Sequence, residues 1–405
     1  MTTLVVLGGA DGSVGVYQRA RTLGYRTICV DIRPTAPGVL HADEFVQLSV
    51  RAPERIASTL AGRDDIVGVL CPASDVGLPA LAWLTRHWNL PALLPDLAMR
   101  ASVDKSAFRE LCVELGLPGY RAVSGAPDDD LVKRARELRF PALVKPVDSS
   151  GSRGVVACAG PGSLRSAFAE AVAFSPEGKL VVEEYLTGEH LTVEVLMRRS
   201  RVAFHAVTER TITPPPYFVT TAHLVPAELS SEVDAELVRM LEAICERIEY
   251  PDGPLTLDAV LGRDGTLYLV EMGARMGGNG LAELVESCYG VDIMAATMAT
   301  AVGEEPVLTP RDPVPTMVQV FGADRAGRLA EVTGLDEVRA HPAVVDLRLF
   351  AEEGTFVRAY EQAGYKLGYA VLQASTMDEL RDAAEAVRGA LKFRLDDVAQ
   401  AVPRP

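Results

Sequence analysis

Apolar and polar positions follow two rhythms along the chain. Residues 4–7 form a short apolar run, a glycine-rich turn follows, and residues 18–23 carry a helical spacing that Gly24 ends. Residues 27–30 repeat the apolar run and close on Asp31, and residues 67–70 repeat it again before a loop at 71–75. Strands alternating with helices predict a parallel, doubly wound sheet in the first hundred residues. A helix over 102–115 comes next, with Ser102 as its N-cap and Gly116 and Pro118 as its stop.

The texture then changes. Short β-rich runs at 142–147, 155–158, 180–183, 191–196 and 202–207 predict an α+β region built from hairpins. Pro214, Pro215 and Pro216 in succession exclude helix and central strand, so 211–221 reads as a loop. Strands at 255–261 and 267–271 and a helix at 281–288 follow. Pro306, Pro310, Pro313 and Pro315 mark a linker, after which strands at 316–321, 344–350 and 365–372 and a helix at 377–391 form a separate small unit. No internal repeat is visible.

Composition narrows the function classes. A formal net charge of -15 argues against nucleic acid or an anionic membrane as partner, because both repel the average surface. It leaves room for a polyphosphate held in a locally basic, metal-loaded cleft. No apolar run reaches the roughly 20 residues that span a bilayer. The N-terminal residues lack a basic stretch and a cleavage site, so the expected compartment is the cytoplasm. Six cysteines without a close pair read as buried thiols of a reducing environment, and the scattered histidines offer no zinc site.

The most informative chemistry lies between Thr256 and Arg275. Asp264-Gly265 is a strong hairpin signal, since a type I′ turn needs positive φ at both positions. A two-residue turn there carries the register down to Asp258 opposite Glu271, with Val260 opposite Leu269. The other face, Leu257, Ala259 and Leu261 against Met272, Val270 and Tyr268, makes a core surface. Opposed carboxylates repel unless a cation lies between them, and a hard divalent ion with oxygen ligands suits the place. Two solvated acids, compensated by Arg263 or Arg275, are the plainer reading.

Three further segments bear on ligands. Lys145 ends a strand and precedes a loop of small residues, Ser149, Ser150, Gly151, Ser152 and Gly154, whose amides can face anionic oxygens. A lysine ahead of the glycines distinguishes this loop from the strand–loop–helix phosphate motif. Residues 181–197 read as strand, polar break and strand, where main-chain groups can read an adenine edge and a carboxylate can take ribose hydroxyls. Near the N-terminus, Gly9, Gly12 and Gly15 depart from the dinucleotide fingerprint although Asp31 ends the second strand, so nicotinamide binding is not expected.

In this order the elements resemble the ATP-grasp superfamily of carboxylate–amine ligases, and most of all its L-amino acid ligase-like branch. The resemblance runs over nearly the whole chain: Asp104-Lys105, LVKP around Lys145, the SSGSRG loop, EEYLTGEH, and LVEMGARMGGNG, with DIRPTAPGVLHAD and the tail after Pro315 pointing to the branch. It implies an ATP-grasp fold of α/β and α+β class. The implied domains are a Rossmann-like 1–100, an ATP-grasp 101–310 with a central lid subdomain near 120–195, and an α+β 311–405.

The implied reaction phosphorylates a carboxylate with ATP and lets an amine attack the acyl phosphate. Lys105 and Lys145 would contact phosphates, with Ser150, Gly151, Ser152 and Gly154 in the phosphate loop. Glu183, Glu184, Tyr185 and Leu186 would form the adenine hinge, with main-chain contacts from Glu184 and Leu186. Glu189 or His190 would meet the ribose, and Asp258 and Glu271 would hold Mg2+ or Mn2+. Arg275 and Lys145 would be catalytic, and Arg275, Gly277, Gly278, Asn279, Tyr217 and His223 would border the substrates, with simple packing favoured for His223. The loops at 149–154 and 211–221 are candidate lids.

Two positions depart from the family pattern: His190 replaces a ribose-binding glutamate and Gly273 a metal-ligating asparagine. The expected partners are small-molecule carboxylate and amine substrates, with a homodimer left open. Competing readings are a bicarbonate-using carboxylase, a catalytically silent ATP-binding protein, and a nicotinamide oxidoreductase.

Overall fold

The computed structural model describes residues 2–396. Its first layer is a parallel four-stranded sheet in the order Glu44–Gln47, Arg26–Asp31, Thr3–Leu7, Ile66–Leu70. Every residue of Thr3–Leu7 is buried, which is why the sequence shows a continuous apolar run rather than alternation there. Helices Val14–Thr22 and Leu78–His87 follow the first and fourth strands in the chain.

The expected helix over 102–115 is two helices, Asp96–Val103 and Lys105–Glu114. The break falls at Asp104, whose extended backbone and carboxylate cap the second helix by accepting from the Ser106 and Ala107 amides. Ser102 is no N-cap. Its hydroxyl bonds back to the Ala98 carbonyl and accepts the Ala274 amide. The break places Lys105 at the N-terminus of the second helix, 3.1 Å from Glu271 on the strand Leu267–Gly273.

A second sheet, antiparallel and four-stranded, has the order Ala122–Gly125, Leu180–Glu184, Ala142–Pro146, Val156–Cys158. Helices Asp129–Ala135 and Leu164–Val172 cover it through a core that includes Leu131, Val144, Phe168 and Val182. The largest sheet has eight strands: Leu267–Gly273, Gly253–Gly262, Gly188–Arg198, Arg201–Ile212, Thr220–Val225, Thr316–Gly322, Lys366–Gln373 and Val344–Leu349. Helix Ser231–Arg247, capped by Ser230, buries Leu237, Met240, Leu241 and Ile244 in the largest core cluster.

Strands from the last ninety residues continue this sheet. Thr316–Gly322 pairs with Thr220–Val225, Gln319 opposite Ala222, so the chain after the proline linker extends the sheet. A smaller three-stranded sheet of Phe356–Val357, Gly327–Thr333 and Lys392–Asp396 stands apart from it. All six cysteines are buried thiols. Among the described residues, no helix is long and apolar enough to cross a membrane.

Candidate nucleotide and metal site

The hairpin that carries Asp258 and Glu271 reaches its register by two compensating shifts. At the turn, Gly265 alone is left-handed (φ +80°), and Leu261 pairs with Leu267, one residue out from a two-residue type I′ loop. A bulge between Asp258 and Ala259 then restores the pairing, and Asp258 faces Glu271 as the sequence arithmetic has it. Ala259 accordingly pairs with Leu269 and Val260 with Tyr268, not Val270 and Leu269. The bulge also turns Val270 beside Glu271 into a cleft instead of the core.

Each of the two carboxylates has partners. Asp258 accepts the Thr192 hydroxyl at 2.8 Å on Oδ1 and an Arg210 guanidinium N–H on Oδ2. Glu271 lies 3.1 Å from the Lys105 ammonium, which also donates to the Ser149 carbonyl. Burial pushes both acids up. On Glu271 the Lys105 and Lys145 charges win and bring it to about 2, whereas Asp258 stays raised, with the neighbouring Glu271 charge adding to its burial. The two acids therefore shift in opposite directions, Glu271 down and Asp258 up.

A divalent cation fits between them by chemistry: two hard oxygen donors meet across one register position. No cluster of three or more candidate metal-binding side chains occurs among the described residues, so phosphate oxygens or water would complete the sphere. Gly273 explains why no third ligand stands there. A Cβ at that position would come 3.0 Å from Asp75 Oδ1 and 3.2 Å from Arg275 Cζ, so an asparagine there would require that ion pair to give by a few tenths of an ångström.

The cleft above the pair opens to solvent, and its apolar wall includes Leu143, Val155, Leu186, Val260 and Val270. Lys145 points into it and is paired with Glu183 at 2.5 Å, both nearly buried. Ser150, Gly151 and Ser152 line it, with Gly151, Ser152 and Gly154 all left-handed (φ +66°, +62°, +72°), which turns successive amides around the loop. At the hinge, Tyr185 and Leu186 line the cleft; the Tyr185 amide donates to the Pro141 carbonyl and the Leu186 amide has no partner among the described residues. Glu184 also lines the cleft, but its carboxylate accepts from the Arg139 amide and guanidinium and its amide donates to the Arg121 carbonyl.

Strand alternation separates the two ribose candidates. His190 lines the cleft, held neutral at about 4 by burial and by the Arg210 and Lys145 charges, while Glu189 is exposed and outside the lining. The structure brings Lys105, Lys145, Ser150, Gly151, Ser152, Glu183, Glu184, His190, Asp258 and Glu271 to one cavity, with Gly154 outside its lining. It does not bring Arg275 there. That guanidinium is clamped by Asp75 at 2.8 and 2.9 Å, and its remaining nitrogen donates to the Met276 carbonyl.

Gly277 begins the loop after Arg275. Its amide donates to Glu194, a buried carboxylate that also accepts the Thr256 hydroxyl at 2.6 Å and is pushed up to about 7 by burial. A Cβ at 277 would lie 2.2 Å from Glu194 Oε1 and would displace that carboxylate from the Gly277 amide and Thr256 hydroxyl. Gly278 approaches Gly12 and Ala73 of the first sheet's loops, and Asn279 is left-handed at φ +55°. His223 is fully buried on the Thr208 hydroxyl at 3.0 Å and lowered to about 3, a packed histidine. Tyr217 is exposed and lies outside the cleft lining, while its loop neighbour Phe218 lines the cleft and accepts the Ser152 hydroxyl.

Sequence reasoning passed over Arg210, Asp75, Glu194 and Tyr120. Each is a lone charged or polar residue on an ordinary strand or loop, with no spacing signal; only the fold sets it beside its partner. Arg210 and Tyr120 both line the cleft, and Arg210 Nε, Tyr120 Oη and Ser149 Oγ are buried without a hydrogen-bond partner. Unpaired buried donors on a cavity wall mark where a polar ligand belongs.

Comparison with known proteins adds two family matches: residues 138–283 match the ATP-grasp domain and residues 319–396 match the L-amino acid ligase C-terminal domain 2. An uncharacterized protein of Sinorhizobium fredii is 28% identical over 327 residues, 78% of this chain and 66% of that protein, so the match spans just under two thirds of the relative's length. A formate-dependent phosphoribosylglycinamide formyltransferase of Burkholderia pseudomallei is 22% identical over 96% of this chain and 95% of its own. The crystal structure of an L-amino acid ligase from Bacillus licheniformis superposes with a TM-score of 0.83 at 20% identity, covering 98% of this chain and 99% of that one. At that identity the superposition speaks for the fold.

Proposed function

Because the chain belongs to the ATP-grasp superfamily and carries an L-amino acid ligase C-terminal domain, we propose that it joins a small carboxylate, an amino acid or amino-acid-like precursor, to an amine and converts ATP to ADP and phosphate. The observation that carries this reading is the opposed pair Asp258 and Glu271 in one cleft with Lys105, Lys145 and the small-residue loop.

The cleft's residues divide the work. The hinge at Glu184–Leu186 reads the base edge through main-chain groups, and His190 meets the ribose as a neutral acceptor or donor. Lys145 leaves Glu183 for phosphate oxygens, and the turned amides of the loop hold the rest. Asp258 and Glu271 would hold a magnesium ion, which would supply positive charge against that developing on the transferred group. A substrate carboxylate oxygen attacks the γ-phosphorus and ADP leaves; the amine nitrogen then attacks the acyl carbon, phosphate leaves, and the amine gives up a proton. Arg275, oriented by Asp75, and the Gly277–Gly280 loop border this second half of the reaction. Ser152 on the Phe218 carbonyl joins the phosphate loop to the proline-rich loop, which supports their action as one lid that keeps water from the acyl phosphate.

Incubation with ATP, magnesium and panels of amino acids, read by phosphate release and mass spectrometry of the amide, tests the proposal. An amide formed in step with phosphate supports it; phosphate release that depends on bicarbonate alone, or no nucleotide turnover with any pair, overturns it. The formate-dependent relative favours a second reading in which the activated carboxylate is not an amino acid, and formate belongs in the same panel.

A further inference from the structure

Arg210, on the strand Arg201–Ile212, lies on the cleft wall beside Asp258. One of its terminal nitrogens donates to Asp258 Oδ2, its Nε is buried without a partner, and its side chain is 18% exposed on the cleft wall. The groups around it are Asp258, Glu271, His190 and His223, with the two histidines held neutral beside it. The other guanidinium on the wall, Arg153, is exposed and donates to the Ser150 carbonyl. Arg275 is locked to Asp75 outside the lining.

The present pairing cannot persist unchanged when a metal arrives. Asp258 accepts from Thr192 on Oδ1 and from Arg210 on Oδ2, so a divalent cation between Asp258 and Glu271 shares this carboxylate with the guanidinium. Two cations on one carboxylate repel, while the incoming polyphosphate offers several anionic oxygens. A guanidinium with a spare N–H fork suits them better than a point charge does.

We propose that Arg210 neutralises Asp258 while the cleft is empty and moves onto the transferred phosphoryl group when metal-bound nucleotide enters. This rests on the ATP-dependent reading above. Lys105 stands in the same relation to Glu271, so the empty site carries a cation for each metal-binding carboxylate.

The test uses the full chain with Arg210→Ala and Arg210→Lys and three readouts. Mn2+ binding without nucleotide, followed by electron paramagnetic resonance, should tighten several-fold in Arg210→Ala, because a competing cation has gone. Affinity for MgADP should change little. Affinity for MgADP with aluminium fluoride, which imitates the transferred phosphoryl group, should fall by roughly 10²-fold, and the lysine variant should recover part of it. Turnover should fall in parallel. Equal affinity of wild type and Arg210→Ala for the aluminium fluoride complex, or weaker Mn2+ binding in the alanine variant, overturns the proposal. The lysine variant and a thermal melt keep the comparison valid where alanine harms folding. The binding readouts need no substrate carboxylate, so they decide Arg210 even where every amide assay on the wild type fails.

Discussion

Arg275 and Asp75 are 200 residues apart and meet in a two-pronged ion pair whose side chains are only 15% and 17% exposed. Removing Asp75 leaves a guanidinium charge in a largely dehydrated place, held by one carbonyl and the more distant Glu194 charge. The gross attraction at this distance is about 6 kcal/mol for an effective dielectric of 20, and breaking a buried pair by deleting one partner costs roughly 3–5 kcal/mol. Some of that is recovered when water or a substrate anion approaches Arg275. We expect Asp75→Ala to lower the melting temperature by several degrees and kcat/KM by roughly 10²-fold, equivalent to about 2.7 kcal/mol. Asp75→Asn, which keeps one neutral acceptor, should lose roughly 10-fold. Steady-state kinetics with each substrate varied in turn should place the loss on the carboxylate or amine, with KM for ATP nearly unchanged. A double-mutant cycle with Arg275→Ala should show the two losses to be far from additive. Additive losses, or Asp75→Ala turning over within about twofold of wild type, would refute the idea that Asp75 orients Arg275.

Two other perturbations follow from the same site. Glu271→Gln removes half of the cation site and Lys105's counter-charge, so turnover should be abolished while nucleotide binding by equilibrium dialysis is largely retained; near-normal turnover sinks the assignment. His223 and His190, lowered by burial to about 3 and about 4, bind fewer protons folded than unfolded below the ordinary histidine pKa of about 6.5. Their contribution to stability is therefore whole above pH 6.5 and lost as pH falls from there toward 3 to 4. The melting temperature of His223→Gln should decline less steeply over that interval than that of wild type, and an identical slope counts against the buried neutral histidine.

How far the sequence revealed this site depended on whether a signal was local. The N-terminal parallel sheet was legible because strands buried on both faces leave unbroken apolar runs. Asp264-Gly265 announced its hairpin, and the pairing of Asp258 with Glu271 followed from it, yet the turn type was misread. A one-residue error at Gly265 and an unforeseen bulge at Val270 cancelled by the time the register reached the acids. The even slips that alternation tolerates gave no warning of this; the bulge shows only in the change of face at Val270. The helix break at Asp104 was hidden because Ser102 and Asp104 are both acceptable caps, and the Ala274 amide, 172 residues away, decides between them by taking the Ser102 hydroxyl as acceptor. Arg210, Asp75 and Glu194 carry no pattern, and Gly273 read as a missing ligand until the Asp75–Arg275 pair was found against the space a Cβ would need.

The partners of Asp258 make opposite predictions, which separates a group that prepares the cation site from one that competes for it. His190, Thr192 and Glu194 alternate along one strand and so share a face. Across the sheet they stand opposite Val260, Asp258 and Thr256, so one strand serves the nucleotide cleft, the metal carboxylate and, through Glu194, the Gly277 amide. Thr192 is buried, and its hydroxyl fixes the Asp258 carboxylate without adding charge. Thr192→Val nearly preserves volume but removes that donor. Outer partners of metal ligands are commonly worth 10–100-fold in metal affinity, so the magnesium concentration for half-maximal activity should rise at least tenfold, with KM for ATP at saturating magnesium changing far less. Arg210→Ala should move cation binding the other way, because it deletes a rival positive charge. If both variants weaken the cation site, both side chains simply hold Asp258 in place; if Thr192→Val leaves the magnesium requirement unchanged, the carboxylate is oriented by its strand alone.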